Sequence, residues 1–173
     1  MREAAGTRPA AFAELFERHH GAIYGYLRKL TGSGDGAHDL TQETFLLAFR
    51  SRNTYRPKGR FQAWLYRIAT NLVRGRFQRE GSETGLPEGA LVSDSPGPAA
   101  ALETAETRKT VRQALQRLSL DEREVVVLRH YQGMRFGEIA ELLGASESTV
   151  KSRMRYALDK LSNILRPLEK EPQ

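Results

Sequence analysis

The segment FGEIAELLGASESTVKSRMRYALDKL, residues 136–161, sets the class of fold that this chain adopts. It has the spacing of a helix-turn-helix. Ala140 is a small residue where two helices would cross closely, and Gly144 lies at the turn, where a residue that tolerates positive φ is favoured. Val150 is placed to pack the second helix on the first, and Ser146 to cap it. The segment therefore predicts two short helices joined by a tight turn.

The second helix of this pair divides into an apolar stripe and a polar outer face. The residues predicted to point inward are Val150, Met154, Ala157, Leu158 and Leu161. The outer face carries Glu147, Ser148, Thr149, Lys151, Ser152, Arg153 and Arg155. Arginine can bind guanine through two hydrogen bonds, serine and threonine can reach bases or phosphates, and lysine neutralises phosphate. We interpret this face as a surface for duplex DNA; a solvated helical hairpin is the alternative.

Two further helices are predicted just before this pair. Residues 101–117 show a helical pattern with Val111 and Leu115 inward, followed by Leu118. Ser119 and Glu122 have the spacing of a capping box at the start of a helix containing DEREVVVLRHYQG. The C-terminal part of the chain is therefore predicted to be a small helical domain.

The N-terminal part predicts three amphipathic helices. The first carries its apolar residues at helical spacing from Phe12 to Leu30. The turn TGSGDG ends it, and Asp35 is predicted to cap a second helix that runs to about Arg50. The third helix begins at Phe61, with apolar residues at helical spacing to Val73. Three helices of this length can share one core.

No segment alternates with period two, so the fold is predicted to be all-α, with two small helical domains on a tether. We place the first domain at residues 1–80, a flexible acidic linker at 81–104 and the second domain at 105–173. The linker prediction rests on the composition of GSETGLPEGALVSDSPGPAA, which is rich in Gly, Pro, Ser and acidic residues and has no apolar period.

Charge is distributed unevenly along the chain, whose formal net charge is +6. Residues 1–50 are neutral, residues 51–80 have a balance of +7, residues 81–107 of −5 and residues 108–173 of +4. Two cationic regions therefore flank an anionic one. This asymmetry is expected of a protein that binds a polyanion, although charge alone does not separate DNA from RNA or an anionic membrane.

Composition removes several classes of function. The chain has no Cys, which excludes disulfides, thiolate metal sites and a cysteine nucleophile. Its four His residues show no metal-ligand spacing and no catalytic constellation stands out, so we expect no metal, no cofactor and no enzymatic activity of its own. The N-terminus MREAAGTRPAAF lacks the apolar core of a secretory signal, and no run is long enough to insert in a membrane. We expect a cytoplasmic, nucleoid-associated protein.

A second candidate surface lies in the basic block. Arg60, Arg67 and Arg74 repeat every seven residues, and aromatic residues including Tyr55, Phe61 and Trp64 alternate with them. Cations beside aromatic rings suit single-stranded nucleic acid, because phosphates need charge and unstacked bases need flat partners. The alternative is that Phe61 and Trp64 belong to the core while the arginines only solvate the helix.

Three strings together resemble one known family: DLTQETFLLAF (39–49), FQAWLYRIATNLVRGRFQRE (61–80) and LSLDEREVVVLRHYQGMRFGEIAELLGASESTVKSRMRYALDKL (118–161). They are similar, in order and over nearly the whole chain, to bacterial RNA polymerase sigma factors of the extracytoplasmic-function (ECF) group of the sigma-70 family. The resemblance implies a subunit that binds core RNA polymerase and directs promoter-specific initiation by recognising minus-35 and minus-10 DNA and aiding strand opening.

The resemblance also implies roles for individual residues. Asp39, Gln42 and Glu43 would bind core polymerase, whose clamp helices and beta flap are the implied partners. The residues implied for the minus-10 element, as single strand, are Tyr55, Arg60, Phe61, Trp64, Arg67, Asn71 and Arg74. Those implied for the minus-35 element, as duplex, are Arg135, Glu147, Ser148, Thr149, Lys151, Ser152, Arg153 and Arg155. An anti-sigma factor is a further implied partner.

Two positions depart from the family pattern. Arg135 stands where many relatives have a Ser or Thr cap, and Gly75 where an Asp is frequent. Two other functions stay open at this point. One is a stand-alone helix-turn-helix regulator that binds an operator as a dimer, and the other is a sigma mimic that occupies an anti-sigma factor.

Overall fold

The computed structural model describes residues 9–52, 55, 61–82 and 105–166, and all regular structure within these ranges is helical, which confirms the all-α prediction. Seven α-helices and one π-helical turn follow in order: α1 Pro9–Thr31, α2 Gly34–Arg50, α3 Phe61–Ser82, α4 Ala105–Gln116, α5 Leu120–Val126, the π-helical turn Val127–Tyr131, α6 Phe136–Leu143 and α7 Glu147–Leu165. Arg60 and residues 83–104 of the predicted linker lie outside the described residues.

The described residues form two compact units. The first contains residues 9–28, 35–52, 55 and 61–82, and the second contains residues 29–34 and 105–166. Within the described ranges, no helix combines the length and the apolar character that crossing a membrane would require.

Aromatic packing between α1 and α3 organises the core of the first unit. Tyr26 and Tyr66 are both fully buried, and their rings meet edge to face with centroids 5.1 Å apart. The Tyr26 hydroxyl lies 2.9 Å from the Thr70 hydroxyl, so its polar end has a partner inside the core. Burial raises the pKa of the Tyr66 hydroxyl to about 12, against the effect of a hydrogen bond with Gln62, so Tyr66 is neutral at physiological pH.

Helix α2 closes this core with alternating apolar and threonine side chains. Leu40, Phe45 and Ala48 are buried. The buried hydroxyls of Thr41 and Thr44 each donate to a carbonyl one helical turn earlier, at 2.6 Å. These bonds satisfy the two hydroxyls, so α2 can place them inward without the cost of an unpaired polar group.

The second unit has an apolar core shared by α4, α5 and α7. Its centre contains Leu115, Leu118, Val126 and Ala157, against which Val111, Met154 and Leu161 pack. The capping box predicted for α5 is confirmed: the Ser119 amide donates to Glu122 Oε2 at 2.9 Å, and the Glu122 amide donates to Ser119 Oγ at 3.3 Å. The start of α5 is thereby fixed by local bonds.

A buried arginine completes the connection between α4 and α5. The Arg123 guanidinium donates to the carbonyls of Leu115, Gln116 and Leu118 at 2.9, 2.9 and 3.0 Å. These carbonyls lie at the C-terminal end of α4, where helix carbonyls lack intrahelical partners. Burial lowers the pKa of Arg123 to about 10, although the nearby Glu124 carboxylate raises it, so the side chain stays charged at neutral pH.

The structure corrects three sequence predictions. Leu158, predicted to point inward, is 51% exposed, because Ala157 occupies the centre of the buried face and the next residue lies about 100° further round the helix. Asp35 lies in the first turn of α2 rather than preceding the helix as its cap. The segment predicted as one helix from residue 121 changes to a π-helical turn at Val127, where the Gln132 amide donates to the Val127 carbonyl.

Candidate nucleic-acid and protein interfaces

The turn between α6 and α7 fixes the orientation of α7. Gly144 has φ +64°, and the Ala145 amide donates to the Ala140 carbonyl at 3.0 Å, the bond that closes a Schellman motif. Ser146 Oγ accepts from the Thr149 amide at 3.0 Å and so caps α7. Val150 is fully buried. The predicted turn glycine, cap and packing residue are therefore all confirmed.

The outer face of α7 is mostly exposed, as the sequence predicted. Its exposed members are Glu147, Ser148, Thr149, Lys151 and Arg155, while Ser152 and Arg153 are half-buried. Lys151 Nζ lies 2.7 Å from Glu147 Oε1, and the Thr149 hydroxyl lies 2.8 Å from that of Ser146. Three of the candidate residues, Glu147, Thr149 and Lys151, are thus engaged within the first turn and a half of α7.

Arg153 differs from the other candidates on α7 because it is bound to another helix. Its Nη2 lies 2.6 Å from Oδ2 of Asp121, in the first turn of α5. The Arg153 side chain is 27% exposed and the Asp121 side chain 45%. Arg155 lies two residues later, about 200° round the helix, so these two arginines are on nearly opposite sides of α7.

The start of α6 gathers cations around one aromatic ring. Arg135 is exposed at the N-cap position, and its amide donates to Glu138 Oε2 at 2.8 Å, which is the half of a capping box that needs no acceptor on the N-cap side chain. Arg129 Cζ lies 5.0 Å and Lys151 Nζ 5.9 Å from the centroid of the Phe136 ring. Sequence analysis missed Arg129, which the π-helical turn brings to α6; no periodic signal in the sequence marks it.

Three aromatic side chains come together at the start of α3. The ring centroid of Tyr55 lies 4.8 Å from that of Trp64 and 5.6 Å from that of Phe61, and the last two rings are 5.6 Å apart. All three residues are half-buried. His19 of α1 adds a fourth ring, 5.5 Å from Phe61; burial, and then the neighbouring Arg18, lower its pKa. The cluster therefore lies at the edge of the core, where each ring is partly covered and partly accessible.

The predicted polar contacts of α3 follow this cluster along one side of the helix. Arg67 and Asn71 are exposed, and Arg74 is half-buried. Spacings of four and three residues keep the three side chains on one face. The structure therefore brings Tyr55, Phe61 and Trp64 together at the start of α3 and places these polar residues further along the helix, while Arg60 lies outside the described residues.

The predicted polymerase-binding residues lie on the exposed face of α2. Asp39, Gln42 and Glu43 are all exposed, and Gln42 Nε2 is 3.0 Å from Nε2 of His38. The same stripe continues with Leu46, which is 48% exposed, and Phe49, which is 36% exposed. Leu46 was not singled out in the sequence, because an exposed leucine in an amphipathic helix has the same local pattern as a buried one.

The exposed face of α2 carries two carboxylates and an amide, followed by exposed apolar side chains. It can bind a protein surface that offers basic groups and an apolar patch. The aromatic and cationic face of α3 can bind unpaired bases and their phosphates. The helix-turn-helix can enter the major groove of a duplex. The chemistry of the three surfaces thus suits three different partners: a protein, unpaired bases with their phosphates, and duplex DNA.

Comparison with known proteins agrees with this combination. The family model described as "Sigma-70 region 2" matches residues 15–83, and "Sigma-70, region 4" matches residues 108–161. The RNA polymerase sigma factor CarQ of Myxococcus xanthus is 37% identical over 93% of this chain and 92% of its own. The ECF RNA polymerase sigma factor SigM of Mycobacterium tuberculosis is 32% identical over 90% of this chain and 77% of its own.

A solved structure gives the same result for the fold. CnrH in complex with the cytosolic domain of CnrY superposes with a TM-score of 0.72 at 29% identity, covering 96% of this chain and 94% of that one. The chain belongs to the ECF group of the sigma-70 family, and it is a promoter-directing sigma factor of RNA polymerase.

Proposed function

We propose that this sigma factor divides its work among three surfaces. The exposed face of α2 holds core RNA polymerase, the aromatic and cationic face of α3 holds the minus-10 element as single strand, and α7 with the start of α6 holds the minus-35 element as duplex. The polymerase supplies the catalysis, so the chain has no enzymatic role of its own and works at the nucleoid. The observation that carries this proposal is the separation of three chemically distinct exposed faces on three different helices.

Docking on the polymerase is assigned to Asp39, Gln42 and Glu43. Their exposure leaves the two carboxylates and the amide accessible for basic partner groups. The exposed side chains of Leu46 and Phe49 extend the same face and offer the apolar area that an interface core requires. The clamp helices of the largest subunit are the proposed partner of this face, and the beta flap is the proposed partner of the second unit.

Strand opening is assigned to the aromatic cluster at the start of α3 and to the polar side chains that follow it along the helix. Tyr55, Phe61 and Trp64 offer ring faces and edges for unstacked bases, Arg67 and Arg74 offer charge for phosphates, and Asn71 offers a polar contact to a base. Arg60 belongs to the same proposed set. Because such contacts form only with an opened strand, their free energy offsets the cost of unpairing, and no ATP is required.

Duplex recognition is assigned to Ser148, Lys151, Ser152 and Arg155 on the outer side of α7, with Glu147 and Thr149 at its edges. Arg153 also lies at an edge, where its pairing with Asp121 limits its part in the contact. Arg135 is placed for a phosphate contact at the start of α6. The Ser146 cap and the Gly144 turn support this assignment, because they hold α7 rigidly enough for its side chains to distinguish base edges.

A partner protein that restrains the free sigma factor is also proposed. CnrH was solved with the cytosolic domain of CnrY bound to it. An anti-sigma factor that covers the exposed face of α2 on this chain would block polymerase by competition, and the exposed apolar side chains on that face support such a contact.

The test is reconstitution of the full chain with core RNA polymerase, followed by sequencing of transcript starts. We expect starts downstream of a shared pair of promoter elements. The triple substitution Asp39→Ala, Gln42→Ala and Glu43→Ala should weaken co-purification with core polymerase while helix content is unchanged. A control with the same charge change elsewhere, Glu14→Ala, Glu17→Ala and Gln113→Ala, alters exposed side chains on α1 and α4 and should leave co-purification intact.

The two other functions have their own outcomes in this experiment. A two-fold symmetric footprint by the protein alone, with no dependence on polymerase, would favour a stand-alone regulator. Tight anti-sigma binding without any transcription by core polymerase would favour a sigma mimic. Co-purification that the triple substitution leaves unchanged would overturn the role assigned to α2.

A further inference from the structure

Two acidic residues at the start of α5 each hold one basic residue of α7. Asp121 pairs with Arg153 at 2.6 Å, and Glu122 pairs with Lys160 at 2.7 Å. Arg153 and Lys160 are seven residues apart, so they lie on the same side of α7, two turns from each other. The two pairs therefore form a ladder along the contact between α5 and α7.

This ladder removes Arg153 from the set of cations on the outer side of α7. Its guanidinium is turned toward α5, and only 27% of the side chain is exposed. Arg155 lies elsewhere on the helix surface and is exposed, and so is Lys151, which pairs with Glu147 of its own helix. A guanidinium held by a carboxylate is electrically neutralised, so it attracts phosphate less than a neighbour in water does.

Asp121 is itself held in position. It lies in the first turn of α5, where a negative charge is favoured by the helix dipole, and the capping box of Ser119 and Glu122 fixes that turn. The carboxylate therefore competes with DNA phosphate for Arg153 from a fixed site.

We propose that Asp121 withholds Arg153 from DNA phosphate and so lowers the affinity of α7 for duplex of any sequence, leaving the base contacts to the outer side of the helix. Sequence-independent phosphate contacts strengthen binding to every duplex equally and so add nothing to discrimination. By neutralising Arg153, Asp121 lowers non-specific affinity. This inference rests on the proposed duplex-binding role of α7.

The charge-removing substitution Asp121→Asn tests the inference in the full chain. We expect binding to a scrambled duplex to become about two- to fivefold tighter, which is the range that an ion pair of this exposure can withhold. The slope of log affinity against log salt should steepen by about one, since one more phosphate contact forms. Preference for the selected minus-35 duplex over the scrambled one should stay the same, because a phosphate contact strengthens binding to both duplexes equally.

A double-mutant cycle with Arg153→Ala separates this mechanism from a general charge effect. If Asp121 acts through Arg153, the gain from Asp121→Asn disappears when Arg153 is already Ala. Asp159→Asn is the matched control, because Asp159 is an exposed acid on α7 and its removal changes the charge equally. Its gain should persist in the Arg153→Ala background.

The outcomes are distinct. An Asp121→Asn gain that is the same with and without Arg153 overturns the inference, as does the absence of any gain on the scrambled duplex. Equal affinity of the wild-type chain and its polymerase complex for selected and scrambled duplexes overturns the proposed role of α7 instead. The cycle on the scrambled duplex still decides the inference in that case, because it needs only non-specific binding.

Discussion

Lys160 Nζ lies 2.7 Å from Oε1 and 2.9 Å from Oε2 of Glu122, so the last third of α7 is joined to the first turn of α5 through both carboxylate oxygens. The same carboxylate accepts the Ser119 amide. One side chain thus completes the cap of α5 and binds it to the helix that carries the candidate recognition face.

Glu122→Ala should therefore destabilise the second unit by about 1–2 kcal/mol, because it removes a capping interaction and a charge-assisted hydrogen bond. Lys160→Ala should cost less, since Lys160 is half-exposed and only the ion pair is lost. Hydrogen exchange of the α5 and α7 amides measures both effects. The fluorescence of Trp64, the only tryptophan of the chain, reports the unfolding of the first unit, which should not change and so serves as the internal control. Equal protection in wild type and Glu122→Ala would contradict this role.

The stability of the second unit should depend on pH through Glu122. Burial raises the pKa of this carboxyl, but hydrogen bonds from Lys160 and Ser119 outweigh it and leave the pKa below its ordinary value of 4.5. The unfolded chain then binds the proton more readily than the folded one. The stabilisation that Glu122 contributes is therefore fully present above pH 4.5, and it is lost as pH falls through the pKa of Glu122 in the folded protein. Unfolding followed by hydrogen exchange should show wild type converging on Glu122→Gln in acid. Parallel pH curves for the two proteins would refute this.

Gly75→Ala should stabilise the first unit by about 0.5–1 kcal/mol, because alanine has the higher helix propensity. The residue lies inside α3, and an added Cβ would meet no atom within 4 Å. Urea unfolding, followed by Trp64 fluorescence, measures this change in the free energy of unfolding. Gly144→Ala is the contrasting case, since φ is +64° there and alanine would be strained. Loss of stability in Gly75→Ala would show that α3 is not an ordinary helix at this point.

Leu158→Ser should change stability by no more than about 0.5 kcal/mol, because the side chain is half-exposed. Leu115→Ala, at a position 3% exposed in the core of the same unit, should cost about 2–5 kcal/mol. Thermal unfolding followed by circular dichroism compares the two variants. Similar losses for both would place Leu158 in the core after all.

Trp64 fluorescence should change when a single-stranded minus-10 oligonucleotide binds to the polymerase complex, since the ring lies in the cluster proposed to hold unstacked bases. Asn71→Ala should weaken this binding by about 1–3 kcal/mol if Asn71 contacts a base. The same substitution should weaken binding of a control oligonucleotide of scrambled sequence much less. Equal losses on the two oligonucleotides would assign Asn71 to the phosphate backbone.

Much of the local structure followed from the sequence alone. The positions of the helices, the caps of Ser119 and Ser146 and the turn at Gly144 depend on residues within about four positions of each other, and such interactions leave a pattern in the sequence. The family could be identified from the sequence as well, since its motifs are continuous strings of residues and do not depend on contacts between distant parts of the chain.

Only the tertiary structure decided what surrounds each candidate side chain. The pairing of Arg153 with Asp121, the approach of Arg129 to Phe136 and the exposure of Leu46 and Leu158 all depend on how separate helices pack. A periodic pattern gives the face on which a residue lies, but it does not give the neighbour that covers that face. Local spacing therefore determined which helices this sigma factor has, and contacts between residues distant in sequence determined which of their charges remain available to bind DNA.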